Sequence, residues 1–499
     1  MISLLLVNLD QTIVATALPR IASQFDALTQ AAWIATAYML TLAGFMLMLG
    51  QVLTIAPAKY VYLCSIFVFE VGSLICGAAP SFNVLVFGRA IAGCGGGGVV
   101  NSVLVIIAQT TRIEDRPLLY GILGGVYALA SIVGPLLGGA FTDHVSWRWC
   151  FYVNLPFGAL AIAVVFLFLP SRPALGSNNE ESLNQMTWYR RLDWLGGILC
   201  LGTVVSLLLP LQWGGTTHPW NSPVIIALFC VFAVVLVAWI IWEWRRSKAA
   251  ILPLMLFKRR SQLGATLESF FIGMGMLNGT YYLPLWYQAK GQSSTSSGIS
   301  ILPFMISLIT ASMVSGGMIK FTGRYWHLLV ISPLLALVGS VLLSTLHVDT
   351  PNSHAIGFQI LYGIGLGGAL QNVFIAVQAE WAKEEHMVPQ ATTVLTFGQV
   401  TGGVLGIAIG GTIFSNQLEK NLHVYAPDLP ANLATAVEQS VNAISLVEAS
   451  MRPLVLRAYT ESINRVFLLG IPAAALASLS GFLVRNISLK GSDIAIAVG

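Results

Sequence analysis

The strongest constraint in this sequence is a repeated run of about 20 mostly apolar residues, the length at which a helix crosses the hydrocarbon core of a bilayer. Fourteen such runs occur along the 499 residues. Since a lipid-exposed backbone must satisfy its own hydrogen bonds, we predict an all-α polytopic membrane protein with 14 transmembrane helices. The runs cover approximately residues 2–18, 31–53, 60–79, 83–109, 118–141, 149–169, 194–213, 223–242, 263–288, 298–319, 326–346, 356–378, 391–415 and 464–484.

The composition excludes several other classes of protein. Hydrophobic residues make up 56% of the chain and charged residues 9%, against about 25% charged in an ordinary soluble domain. The net charge of +4 is too small and too dispersed to attract a nucleic acid. The Cys and His residues are scattered, so we expect neither a metal site nor a cofactor. A clustered catalytic constellation is also missing, and we therefore predict that the protein is not an enzyme.

The positive charges orient the predicted helices. With the N-terminus in the cytoplasm, most of the 25 Lys and Arg residues fall on the cytoplasmic side, and both termini are then cytoplasmic. Two polar segments separate the spans into groups of six, two and six, and two six-helix bundles are the usual plan of a secondary transporter. The predicted parts are an N-terminal bundle (1–170), a cytoplasmic loop (171–192), two inserted helices (193–243), a basic cytoplasmic loop (244–262), and a C-terminal bundle (263–486) with a long extracellular loop (416–463).

Four charged residues lie several residues inside the limits of predicted spans, where an uncompensated charge costs on the order of 3 kcal/mol. Asp10 in the first span and Arg89 in the fourth are natural partners, and a buried carboxyl can change its protonation state when a cavity opens. A purely structural hydrogen bond of Asp10, or an Arg89 side chain reaching the interface, is the alternative. Glu70 and Glu268 could each bind a proton or a cationic substrate, or be protonated structural groups.

Three stretches of sequence resemble the major facilitator superfamily, and more narrowly its fourteen-span drug:proton antiporter family with its fungal toxin and multidrug efflux members. They are LDQTIVATALPRIASQF at 9–25, GRAIAGCGGGG at 88–98 and GPLLGGAFTDHVSWRWCFYVNLPFG at 134–158. The similarity extends over nearly the whole chain. It implies alternating access, proton coupling and export of small organic molecules.

The resemblance also implies roles for individual residues. Asp10 matches the acidic position of the family's first-helix motif, and Arg89 matches the arginine that is implicated in proton coupling. Small residues of the fifth span match the antiporter signature G-x8-G-x3-GP-x2-GG, with Ala130 at its second glycine. The matching positions are Gly121, Gly134, Pro135, Gly138 and Gly139. Small residues allow close helix approach, so we expect tight packing there, although the same spacing also occurs in inert bundles.

Aromatic and amide side chains within the spans are candidates for a substrate cavity. Such a lining suits a bulky, mostly neutral amphipathic compound, while lipid contact or core packing is the alternative for most of these residues. The candidates are Gln11, Thr12, Trp33, Tyr38, Tyr127, Tyr282, Trp286, Gln371, Gln378, Phe397 and Gln399.

We therefore predict a proton-coupled exporter of a drug, toxin or secondary metabolite. The alternative is a transporter of the same fold for a charged nutrient, such as a basic amino acid or an iron chelate, with Glu70 or Glu268 at the binding site. We expect a monomer that takes a hydrophobic small molecule and protons as its partners. We also expect it to lie in the lipid bilayer of the plasma membrane, with the vacuolar membrane as the other option.

Overall fold

In the computed structural model, residues 1–25, 33–175, 192–215 and 218–490 are described, and their regular structure is helical apart from one β-bridge between Gly214 and His218. We number the α-helices in chain order. They are α1 (Ile2–Gln24), α2 (Trp33–Ile55), α3 (Ala58–Ala78), α4 (Phe82–Thr110), α5 (Arg116–His144), α6 (Trp149–Tyr152), α7 (Asn154–Phe168), α8 (Trp194–Trp213), α9 (Pro223–Arg246), α10 (Arg260–Ala289), α11 (Ser294–Ser300), α12 (Leu302–Thr322), α13 (Trp326–Leu343), α14 (Asn352–Leu370), α15 (Asn372–Glu380), α16 (Val388–Tyr425), α17 (Ala431–Gln439) and α18 (Arg452–Gly481).

Twelve helical segments of the described residues are long and apolar enough to cross a membrane. This confirms the predicted all-helical membrane architecture. Twelve of the 14 predicted spans meet the criteria of length and hydropathy. The two remaining predicted spans correspond to α1, whose apolar run Ile2–Val14 is short, and to α10. Helix α10 is rich in Gly, Ser, Gln and Asn, and it buries most of these side chains against other helices instead of lipid.

The helices form two bundles, to which a helix pair is attached. In the N-terminal half (α1–α7), α4 packs on α2 and α3, and α1 packs on α5 and α7. In the C-terminal half (α10–α18), α10 packs on α16 and α18, and α14 packs on α12 and α13. The two halves meet where α5 lies against α12 and where α2 lies against α16.

Glycines of α4 place this helix at the centre of the N-terminal half. A Cβ atom on Gly93 would overlap the carbonyl oxygen of Tyr38, and one on Gly95 would overlap the backbone nitrogen of Phe69. Helices α2, α3 and α4 therefore approach one another at backbone distance. The G-x-G-x-x-G spacing in α4 serves this packing.

Hydrogen bonds hold the helix pair α8–α9 (the insertion) beside the contact between α2 and α16. Gln51 of α2 accepts a hydrogen bond from the backbone of Asp193 (3.0 Å) and donates to Ala249 O (2.9 Å). From the other half, Gln390 donates to Ala250 O (3.2 Å). The outer helix of the pair, α9, faces lipid, since its mean hydropathy reaches 3.3 and most of its side chains are exposed.

The predicted loop at 416–463 begins too early. Helix α16 continues to Tyr425, so the segment between the last two long helices begins at residue 426, and it contains α17 and a short 3-10 helix. The polar residues after 415 suggested a loop because hydropathy detects only the lipid-embedded part of a helix. Asn421 instead donates to Ser462 Oγ of α18 (3.0 Å). Most of the predicted loop 171–192 lies outside the described residues.

Candidate functional site

The central feature of the N-terminal half is a buried ion pair. Arg89 Nη1 of α4 donates to Asp10 Oδ2 of α1, and the two side chains are 2% and 0% exposed. Arg89 Nε also donates to Ile34 O (2.9 Å). The structure therefore brings together the two residues that the sequence singled out, although 79 residues separate them along the chain.

Aromatic rings and an amide complete the surroundings of this pair. The guanidinium carbon of Arg89 lies 4.3 Å from the ring centre of Tyr38 and 5.9 Å from that of Phe151, distances that allow cation–π attraction. Asn154, at the start of α7, donates to Asp10 Oδ1 (3.4 Å) and lies 3.2 Å from Ser73 Oγ. Charged groups out of water persist when they are paired and hydrogen-bonded, and both conditions hold here.

The predicted antiporter motif holds α1 in place. A Cβ atom on Gly134 would overlap Thr12 Oγ1, and one on Gly138 would overlap Ile13 O. Thr12 also donates to the backbone oxygen of Ala130 (2.9 Å). Close packing against α5 thus fixes the turn of α1 that carries Asp10. Gly121, earlier in α5, instead lies against Met313 of α12, at the contact between the halves.

A cavity of about 160 Å³ lies between the two halves. Most of its lining is aliphatic or aromatic, and no Asp, Glu, Lys or Arg occurs among the described residues that form it. Of the predicted cavity residues, Gln11, Tyr127, Gln371 and Gln399 line it, and Asn8 and Thr396 add further polar groups. A nonpolar chamber with several amides can bind an uncharged compound that carries a few hydrogen-bonding groups.

The other seven candidates lie away from this lining. Thr12 and Tyr38 contact neighbours inside the N-terminal half, as described above. Trp33 packs edge-on to Trp213 of the insertion, with ring centres 6.0 Å apart. The remaining four serve other contacts. Tyr282 and Trp286 are buried in the core of the C-terminal half, Phe397 packs beside a core that both halves and the insertion share, and Gln378 donates to Tyr120 Oη.

The two additional acids lie in different halves. Glu70 of α3 is 8% exposed and lies against Gly158 of α7, where even a methyl group would overlap its carboxylate. Glu268 of α10 is 0% exposed. Among the described residues, none forms a hydrogen bond with a carboxylate oxygen of either side chain. Neither residue lines the central cavity.

Polar contacts join the two halves beyond one end of the cavity. Lys320 Nζ of α12 pairs with Asp115 Oδ1, which precedes α5, at 2.9 Å. Arg116 Nη1 donates to Gln378 Oε1 of α15 at 3.0 Å. These contacts join the halves at the start of α5 and near the ends of α12 and α15.

Four residues of the site were not predicted from the sequence: Asn154, Ser73, Asn8 and Thr396. A signal for Asn154 was present, because it stands in the WRWCFYVNLP run that supported the resemblance. The other three are ordinary polar residues in apolar helices. They differ from other polar residues of these helices only because the helices are rotated so that these side chains face the ion pair or the cavity.

Two helix bundles around a central chamber, with a buried acid–base pair in one of them, define a secondary transporter as the class of protein. The sequence matches the Major Facilitator Superfamily over residues 1–277. It is 41% identical over 488 residues to the MFS-type transporter astH of Aspergillus oryzae, covering 97% of this chain and 85% of that protein. The chain belongs to the major facilitator superfamily, as the sequence resemblance indicated.

A second relative and a solved structure agree with this assignment. The chain is 39% identical over 497 residues to the MFS-type efflux pump MFS1 of Trichophyton rubrum, covering 99% of this chain and 91% of that pump. The fold matches the human organic anion transporter MFSD10 with a TM-score of 0.61, at 13% identity and over 97% of each chain. At that identity, the likeness to MFSD10 supports the fold alone.

Proposed function

We propose that the protein exports small, amphipathic, uncharged organic compounds in exchange for protons, by alternating access of the central cavity to the two sides of the membrane. The observation that carries this proposal is the separation of two sites. The cavity is nonpolar and lined by amides, and the charged pair Asp10–Arg89 lies behind it within the N-terminal half. Relatives named efflux pumps support the direction of transport.

Helix α1 provides the connection between the two sites. Leu4, Asn8 and Gln11 follow one another at helical spacing and line the cavity, whereas Asp10 lies on the side that contacts α4 and α7. A compound that binds against Asn8 and Gln11 therefore acts on the helix that carries the acid. In the proposed cycle, α1 shifts against α4 as the halves tilt, the contact with Arg89 opens, and the carboxylate of Asp10 takes up a proton from the side that is then open. Release of this proton to the other side restores the ion pair.

The remaining features of the proposal follow from the fold. We propose that α1 and α10 also cross the membrane, because each is packed within a bundle beside spanning helices, which makes fourteen spans with both termini cytoplasmic. The protein would act as a monomer in the plasma membrane. The nutrient alternative is disfavoured, since neither Glu70 nor Glu268 is among the residues that line the cavity.

The test is substrate-dependent proton movement in proteoliposomes that contain the purified protein and a trapped pH-sensitive dye. A panel of neutral, cationic and anionic amphiphiles is added from outside under an imposed pH gradient. We expect neutral compounds to dissipate the gradient faster than they do in protein-free liposomes. Proton movement that responds only to charged compounds would contradict the proposed substrate class.

Removing an amide from the cavity should weaken substrate binding. We expect Gln399→Leu to raise the KM for a neutral substrate that carries hydrogen-bonding groups roughly fivefold, because one lost hydrogen bond is worth about 1 kcal/mol. Trp33→Phe is the matched control, since this ring packs on the insertion instead of the cavity. Concentration-dependent transport by both variants gives the two KM values, and an equal effect of both substitutions would argue against this cavity.

A further inference from the structure

The buried ion pair is one end of a longer polar cluster. Asn154 of α7 joins Asp10 to Ser73 of α3 through contacts of 3.4 and 3.2 Å. One helical turn away from these residues, Glu70 on α3 lies against Gly158 on α7. The two helices thus face each other through two successive contacts, Ser73 with Asn154 and Glu70 with Gly158. A second carboxyl group thereby lies one turn of α3 from the contact that leads through Asn154 to Asp10.

Other ionisable groups around Glu70 do not neutralise it. Helix α4 contributes Arg89, which is already paired with Asp10. Helix α7 carries no ionisable side chain, and the one basic residue of α3, Lys59, donates to Phe166 O at 2.8 Å. The other nearby ionisable residues of α6, α2 and α3 contribute only hydroxyl or thiol groups. These groups are Tyr152 and Cys150 on α6, Tyr38 on α2, and Cys76 on α3. Arg89 is thus the one cation that these neighbouring helices bring to the cluster, and a negative charge on Glu70 would have no cation of its own among them.

Glu70 lacks the hydrogen bonds that another buried glutamate of this protein has. Glu243 in the insertion is also buried, and it accepts hydrogen bonds from Trp239 Nε1 (2.7 Å) and Leu252 N (2.9 Å). Neither oxygen of Glu70 has such a partner within the described part of the chain. Buried polar groups are normally satisfied, so the open valences of Glu70 leave it free to bind a proton. Glu268 shares these open valences, and what distinguishes Glu70 is its place one turn of α3 from Ser73, which Asn154 connects to Asp10.

We propose that Glu70 is a second proton-binding residue of the transport cycle. The inference rests on the proposed proton-coupled function, and it adds the site that holds the proton while Asp10 is ionised against Arg89. In the transfer step, the O–H bond of Glu70 breaks and an O–H bond forms on Asp10. The negative charge then moves from Asp10 to Glu70, and Arg89 is released.

Two side chains make this transfer possible. The hydroxyl of Ser73, one turn from Glu70, can accept one proton and donate another. Asn154 Nδ2 donates to both Ser73 Oγ and Asp10 Oδ1, so Asn154 acts as a positioning residue that holds the two side chains near each other. Glu70 lies eight residues before the end of α3, so a proton that enters from that end of the bundle has about 12 Å to cross along the helix axis.

The experiment compares Glu70→Gln with Glu268→Gln in proteoliposomes that contain the full chain. Glu268 is the matched control, because it is equally buried and unbonded but lies in the other half. Exchange of labelled for unlabelled substrate at equal pH measures binding and translocation, and accumulation driven by a pH gradient measures coupling. We expect Glu70→Gln to retain exchange, to lose its dependence on external pH, and to accumulate no more than protein-free liposomes. The control should keep the wild-type pH profile.

Several outcomes would overturn the inference. A wild-type pH profile for Glu70→Gln would do so, and so would equal changes in both variants, since these would reflect the loss of any buried carboxyl. If Glu70→Gln does not fold, Glu70→Asp keeps the acid, and infrared difference spectra across a pH titration must show that the band of a protonated carboxyl has shifted. An unshifted band rejects the proposal. Absence of substrate-dependent proton movement in the wild type would instead reject the proposed function itself.

Discussion

Asp10→Asn is expected to abolish pH-driven accumulation of substrate while exchange of labelled for unlabelled substrate persists. Asparagine has nearly the shape of aspartate and can still accept a hydrogen bond from Arg89, but it cannot bind and release a proton. The cavity, which Asp10 does not line, keeps its shape. Accumulation under a pH gradient and exchange at equal pH, measured on the same preparation, separate the two effects.

The same substitution should also lower stability. Breaking one side of a buried pair costs about 3–5 kcal/mol, and Arg89 is only 2% exposed. Asparagine retains part of the contact, so we expect a loss of about 2–3 kcal/mol in the free energy of unfolding, and a smaller loss when Arg89→Met is added. Asp115→Asn is the control, because its pair with Lys320 is about half exposed and should be worth less than about 1 kcal/mol.

Two results would count against this role of Asp10. Full pH-driven accumulation by Asp10→Asn would remove the residue from proton coupling. Loss of exchange together with accumulation, in a protein that still unfolds like the wild type, would make Asp10 a substrate-binding residue instead.

Gly138→Ala should disrupt the molecule, whereas Gly139→Ala at the next position should not. A Cβ atom on Gly138 would overlap Ile13 O and Thr16 Oγ1, and the first of these is backbone that cannot move unless α1 separates from α5. The same atom on Gly139 meets no other atom within 4 Å. Overpacking of this kind typically costs 1–3 kcal/mol, so we expect a loss of about that size for Gly138→Ala.

Both substitutions change the helix propensity by the same amount, so a difference in stability between the two variants reports the packing of the added methyl group. Alanine favours a helix over glycine by up to about 1 kcal/mol, so Gly139→Ala should be neutral or slightly stabilising. Thermal unfolding in detergent measures stability, and pH-driven accumulation shows whether displaced α1 still places Asp10 against Arg89. Equal behaviour of the two variants would mean that α1 and α5 are not packed as described.

Some parts of the site could be anticipated from the sequence because they carry a large energetic signal. A charge in an apolar span is costly, so Asp10 and Arg89 stood out and their pairing was predicted. The glycine pattern of α5 predicted close helix contact, and Gly134 and Gly138 meet α1. Hydropathy also located the spans, except where polar residues continue a helix beyond the lipid, as they do in α16.

The cavity lining was harder to predict because an apolar helix shows little difference between its faces. Trp33 and Gln11 were equally reasonable candidates, yet only Gln11 lines the cavity, and Trp33 packs on the insertion. Lipid and protein interior are similarly apolar, so hydropathy does not determine how each helix is rotated. For the same reason, hydropathy could not predict that Glu70 faces the helix that carries Asn154.

The sequence alone determined that this protein is a helical membrane transporter of the major facilitator superfamily, since the length of apolar runs, the positions of charges and the family motifs are all linear properties. Only the tertiary structure decided which polar groups share a site. Helix rotation and the close contacts of small residues set that arrangement. They place Asn154 beside Asp10 and Glu70 against Gly158 of the same helix α7, and they leave Gln399 at the cavity.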